Sequence, residues 1–212
     1  MSVHPGRSPF SLVVFPLIFG VLLVFSQAVR ADETPSQRIE AYHGTLLQVM
    51  KEAKTLGVAG RFDRIDPAAR ATFDFDRMAA LVAGPSWRDA SAAARARLTE
   101  AFTRMSVMTY AKRFTGYSDE RFETLGEEPG PRGTTLVRTH IVSSSMEAVD
   151  LIYVMVGGKG APWRVVDILL KGSISELAVR RSEYAALLSS GGVDALSQAL
   201  ETQTAALLKA GG

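Results

Sequence analysis

Residues 121–170 read RFETLGEEPGPRGTTLVRTHIVSSSMEAVDLIYVMVGGKGAPWRVVDILL, and they decide the fold class. Four runs rich in Val, Ile, Thr and aromatic residues lie within this stretch: Arg121–Glu127, Thr134–Ser144, Ala148–Val156 and Trp163–Leu170. β-Branched and aromatic side chains suit a pleated, half-buried surface. The turns between the runs hold Glu128-Pro129-Gly130-Pro131, Ser143-Ser144-Ser145 and Gly157-Gly158-Lys159-Gly160. Consecutive strands joined by short turns predict an antiparallel meander. Leu151 to Val156 is apolar without a break, where a sheet with one wet face would alternate. Two readings stay open: a sheet covered on both faces, or one whose inner face lines a cavity.

Upstream, the apolar period changes to that of a helix. Thr34-Pro35 predicts a helix start, with Thr as N-cap and Pro at the first helical position. Ile39, Tyr42, Leu46, Val49, Met50 and Ala53 then recur at three- and four-residue spacing. Gly57 and Gly60 are expected to end that helix, and Asp66-Pro67 to start a second, short one. Residues 74–83 predict a third helix, broken by Gly84-Pro85. Ser91 to about Phe114 is a long helix with Leu98, Phe102, Met105, Met108 or Ala111, and Phe114 as its stripe. Downstream of the strands, residues 174–189 and 192–209 return to helical spacing around Gly191-Gly192. Helices, then strands, then helices indicate an α+β fold, with one antiparallel sheet of about four strands packed against N- and C-terminal helices.

Residues 1–31 read as a cleaved export signal. Arg7 gives a positive start, Phe10 to Phe25 is an uncharged apolar run, and Val29-Arg30-Ala31 fits a cleavage site. The run suits a signal h-region and is short for a membrane span, which needs ~20 residues. The expected domains are therefore a signal peptide, 1–31, and one domain, 32–212. Removing Arg7 and Arg30 lowers the basic count from 24 to 22, against 22 acidic residues, so the exported chain would be formally neutral. That balance gives no basis for nucleic-acid binding. The chain has no Cys, which suits a periplasm and excludes a disulfide scaffold, a thiolate metal site and a Cys nucleophile.

No nucleotide-binding, nucleophile-elbow, zincin or EF-hand motif occurs. His43 and His140 read as structural, and three His residues in all make an imidazole-rich metal site improbable. Asp74 is expected to cap the third helix. Asp167 interrupts VVDILL and is the acid most exposed to burial, with Arg180 or Arg181 as its expected partner in an ion pair. The exported segment keeps Met50, Met78, Met105, Met108, Met146 and Met155, side chains that fill irregular spaces and adapt to varied apolar ligands.

Two stretches carry a resemblance. One is Phe73-Asp74-Phe75-Asp76-Arg77-Met78-Ala79, followed by Val82, Gly84, Trp87-Arg88, Thr109-Tyr110-Ala111 and Tyr117. The other is Trp163-Arg164-Val165-Val166-Asp167-Ile168, followed by Gly172, Ser173, Arg181-Ser182 and Tyr184. In order and spacing they resemble the MlaC family of periplasmic lipid-binding proteins, also called toluene-tolerance auxiliary proteins. The segment Lys171 to Tyr184 is similar to the hopanoid-biosynthesis-associated branch, HpnM. Where that family carries an Asn-Tyr-Arg-Ser-like run, this chain has Val179-Arg180-Arg181-Ser182.

The resemblance implies an apolar cavity between sheet and helices, and a non-enzymatic carrier without cofactor or metal. Its cargo would be a phospholipid, or a hopanoid if the branch holds. Its partners would be an inner-membrane ABC transporter with an MCE-domain subunit, and an outer-membrane lipoprotein complex or a hopanoid transporter. The candidate lipid-binding residues are Met78, Val82, Phe102, Met105, Val137, Ile141, Leu151, Tyr153, Val165 and Ile168. Periodicity selects these as core-facing and does not separate a cavity wall from a solid core. Two other readings stand beside the carrier. A periplasmic assembly factor would show an apolar surface groove and no enclosed cavity. A hopanoid- or lipid-modifying enzyme would use Asp167.

Overall fold

The structure, a computed structural model, describes residues 1–2 and 33–210. The chain divides into Met1–Ala31 and Asp32–Gly212. The signal-peptide expectation, with its apolar run and cleavage site, lies outside the described residues. Among the described residues, no helix is long and apolar enough to cross a membrane.

Helix α1 (Pro35–Lys51) begins on a reciprocal cap: the Gln37 amide N–H donates to Thr34 Oγ1 at 3.2 Å, and the Thr34 N–H to Gln37 Oε1 at 2.8 Å. Its expected stripe, Ile39 to Ala53, is buried throughout. Helix α2 (Ala53–Thr72) follows at once and departs from expectation. Gly57, at φ 59° and ψ −174°, kinks it, but the helix runs on through Gly60 and Asp66-Pro67. Pro67 therefore sits inside α2 instead of starting a new helix. The Pro lacks the N–H that the Asp63 carbonyl would accept, and both residues are exposed, so the lost bond falls on the solvent side of the helix. Apolar packing of Phe62, Ile65 and Ala69 outweighs the local signal.

Helix α3 (Phe75–Ala83) is capped by Asp74, whose carboxylate accepts the Arg77 N–H at 3.0 Å. The five-residue α4 (Pro85–Asp89) follows, and then α5 (Ala92–Arg113), capped by Ser91. The sheet is an antiparallel meander in the order β1 (Arg121–Pro129), β2 (Thr135–Ser143), β3 (Met146–Gly158), β4 (Ala161–Leu170) and β5 (Ile174–Ser175). Four of these are the expected strands; β5 adds a two-residue edge too short to carry a sequence pattern. Helix α6 (Glu176–Ala210) closes the chain and is broken at Gly191 and Gly192, as the spacing predicts.

Register explains the unbroken apolar run of β3. Tyr153 pairs with Val137 and Ile168, and Leu151 with Thr139 and Leu170, so these residues share one face. That face belongs to the helix-packed core through Val137, Tyr153, Met155 and Val165. Ile152 and Val166 are buried too, but outside that core, on the opposite face beside Arg138 and the His140–Asp150 pair at 2.7 Å. Bulges between Val154 and Met155, and between Thr124 and Gly126, add to the twist that curls the inner face. The junction of α2 and α3 is tied to β4: Phe73 bridges Val165, and the Asp74 N–H donates to the Val165 carbonyl at 2.9 Å.

Candidate functional site

The inner face of the sheet and the helices do not meet everywhere. Between them is a cavity of about 670 Å³. A void holding one water needs only ~10–15 Å³, and ligand pockets span ~300–1,000 Å³, so this is a site and not a packing flaw.

Each element contributes a few side chains. Leu46 and Met50 come from α1, Phe73 from the end of α2, Phe75 and Met78 from α3, and Phe102, Met105 and Tyr110 from α5. The sheet gives Phe122, Ile141, Val149, Leu151, Tyr153, Ile168 and Leu170, and α6 gives Leu177 and Tyr184. Aromatic rings form a continuous framework on the helical side. Tyr42 meets Phe73 edge-on at 5.2 Å, Phe73 stacks on Phe75 at 5.5 Å, and Tyr110 stacks on Phe114 at 6.1 Å.

The polar groups of this interior are neutral. Burial pushes the Tyr110 hydroxyl up to about 12, and raises Tyr153 and Tyr42 well above the ordinary phenol. His43 stacks on Phe122 at 4.0 Å and shares a hydrogen bond with Tyr153 Oη at 2.8 Å. Burial lowers its imidazole to about 3, so it is uncharged near neutral pH. Charge is confined to the rim, where the lining residues reach solvent: Lys54, Arg113, Glu120, Glu176 and Arg180. The segment 114–118 completes that rim, with Lys51 Nζ 5.2 Å above the Tyr117 ring.

Seven of the ten candidate residues stand on the cavity wall: Met78, Phe102, Met105, Ile141, Leu151, Tyr153 and Ile168. Val82, Val137 and Val165 do not; each is at most 1% exposed and packs in solid core. Core periodicity selects both groups alike, because it reports the direction of a side chain and not the gap in front of it. The same reasoning passed over Phe73 and Phe122, which lie at element ends where no period is established, and over Tyr110 and Tyr184, which lie within α5 and α6. The two Phe in Phe73-Asp74-Phe75, split by a helix cap, were the available signal. Met50, Met78 and Met105 reach the wall, whereas Met108 and Met155 are fully buried in core.

Asp167 is not on the wall and has neither Arg180 nor Arg181 as its partner. Its Oδ1 accepts the N–H groups of Ile168 at 2.8 Å and Leu177 at 3.2 Å, and its Oδ2 accepts the Ser175 hydroxyl at 2.6 Å. Ser175 Oγ in turn accepts the Ala178 N–H at 3.0 Å. Asp167 thus fastens the first turn of α6 to β4. Arg180 reaches the rim and donates to Glu183 at 2.8 Å, while Arg181 lies against Gly84, where a Cβ would come within 3.2 Å of its guanidinium. Among the described residues, no cluster of His, Asp and Glu could hold a metal ion.

The site is an uncharged apolar chamber with a polar rim, the division found in an amphiphile. The sequence model described as MlaC protein matches residues 40–202. A phospholipid-binding protein from Ralstonia solanacearum, solved in complex with a phospholipid, has a similar structure: TM-score 0.70 at 21% identity, covering 84% of this chain and 99% of that one. Comparison with curated proteins gives no match.

Proposed function

We propose that this chain, which belongs to the MlaC family, is a periplasmic lipid carrier that encloses acyl chains in its cavity and leaves the headgroup at the rim. The observation that carries this reading is the separation of an uncharged apolar wall from a charged, solvent-facing rim. The phospholipid held by the Ralstonia solanacearum protein of similar fold supports it. Physical cost explains the design. At ~0.8 kcal/mol per CH₂, two chains of ~16 carbons expose roughly 25 kcal/mol of apolar surface to water unless something hides them. A carrier needs no reacting group, and Asp167, the acid an enzyme would have used, is committed to capping α6. A protein-binding assembly factor calls for a groove in place of a chamber.

The carrier exchanges lipid with an inner-membrane ABC transporter bearing an MCE-domain subunit and with an outer-membrane complex. The similarity of Lys171–Tyr184 to HpnM supports a hopanoid as second cargo.

Filling the chamber tests the reading. Met105 stands half-buried on the wall, whereas Val165 lies in solid core. Met105→Trp is expected to fold normally and take up several-fold less lipid from vesicles. Val165→Trp overpacks and loses about 1–3 kcal/mol of stability in urea unfolding. Wild-type lipid uptake by a well-folded Met105→Trp variant would contradict the placement of cargo in this cavity.

A further inference from the structure

His43 and Tyr153 meet where α1 faces the sheet. His43 Nε2 and Tyr153 Oη lie 2.8 Å apart, and the imidazole stacks on Phe122. Burial keeps the imidazole uncharged near neutral pH, so one ring nitrogen carries a proton and the other a lone pair. Nδ1 is buried with no hydrogen-bond partner among the described residues. A buried N–H without an acceptor is rarer than a buried acceptor left short of a donor. The proton therefore belongs on Nε2, which donates to Tyr153 Oη. A phenol oxygen that accepts from His43 keeps its own proton to give elsewhere. Its one bond among the described residues is to His43, and Tyr153 stands on the cavity wall. That leaves the cavity to supply the acceptor. Phe122 sets the depth: it and Glu120 of the rim both line the cavity, separated by at most about 7 Å of chain.

Resting on the lipid-carrier reading, we infer that Tyr153, oriented by His43, donates a hydrogen bond to an ester carbonyl of the cargo, so that the cavity selects ester-linked over ether-linked diacyl lipids. In a diacyl lipid the ester carbonyls lie between the phosphate and the chains. A headgroup at the rim puts them just inside the mouth, at the depth of Phe122 and the His43–Tyr153 pair. An ether-linked chain has a methylene where the carbonyl stands. Once the chains have displaced water, that methylene leaves the phenol O–H without an acceptor, and an unmade buried bond is costly. A wholly apolar wall would hold the two lipids alike. Tyr153 is thus a specificity-determining residue, and His43 the positioning residue behind it.

The test offers the delipidated protein vesicles of dihexadecanoyl phosphatidylglycerol and its di-O-hexadecyl ether counterpart in equal parts. Headgroup, charge and chain length are shared, so the linkage alone is compared. Bound lipid is extracted and measured by mass spectrometry. The wild type is expected to enrich the ester about threefold to tenfold, the worth of one hydrogen bond. Tyr153→Phe is expected to take up the two lipids in the ratio of the vesicle. A second measurement needs no variant and stands even where Tyr153→Phe fails to fold. Proton–nitrogen NMR correlation of the wild-type His43 ring is expected to place its proton on Nε2. A proton on Nδ1, wild-type uptake in the vesicle ratio, or an ester preference that survives Tyr153→Phe overturns the donor site. Failure of the wild type to take up either lipid would instead overturn the carrier reading.

Discussion

His43 is an imidazole buried in the core. It is buried against Phe122 and Tyr153, and burial lowers its pKa from 6.5 to about 3. In the unfolded chain it takes up a proton below pH 6.5, while in the folded chain it stays neutral to about pH 3. The unfolded state therefore binds more protons in that window, and stability falls as pH falls through it, by up to about 1.4 kcal/mol per pH unit. Between pH 6.5 and 5, above most carboxylate titration, the wild type should lose about 2 kcal/mol in urea unfolding. His43→Asn should flatten that slope, and an unchanged slope would show that His43 is protonated in the fold. The sequence reading of His43 as structural anticipates its place on the inner side of α1, but its partners come from β1 and β3, more than 75 residues away.

Among the elements, breaks and caps were the most legible features. Thr34 and Asp74 cap the helices they were expected to cap, because a cap is a local bond between a side chain and an amide three residues on; Ser91, read only as the start of its helix, caps α5 in the same way. Gly191-Gly192 breaks α6 as read, and Gly192 holds φ 61° and ψ −152°, a backbone region open almost only to glycine. Gly192→Ala should cost about 1–3 kcal/mol by thermal unfolding, with the strain lying in that one residue. The Asp66-Pro67 signal failed because tertiary burial of its neighbours overrode it. Asp167 was read correctly as an acid that needs a partner, but the partner was misjudged. Charge suggested an arginine, and the fold supplies two amides and a hydroxyl. Asp167→Ala should lose about 1–2 kcal/mol and bind lipid as the wild type does. Loss of lipid without loss of stability would place Asp167 in the binding machinery after all.

At the scale of the molecule, the α+β class and the meander followed from the order of apolar periods. The cavity did not, since seven wall residues and three core residues share one periodicity. What distinguishes them is where α5, α6 and the curled sheet stop touching, a property of long-range packing. The wall is uncharged and the charges sit at the rim, and on this the account of a lipid carrier depends. Native mass spectrometry of the protein purified from a periplasm without detergent, with organic extraction of anything bound, tests that account most directly. A discrete lipid-sized adduct, released into the extract and identified by mass as a phospholipid or a hopanoid, is the predicted result. A fully folded protein with a bare mass that also takes up no lipid from vesicles would contradict it.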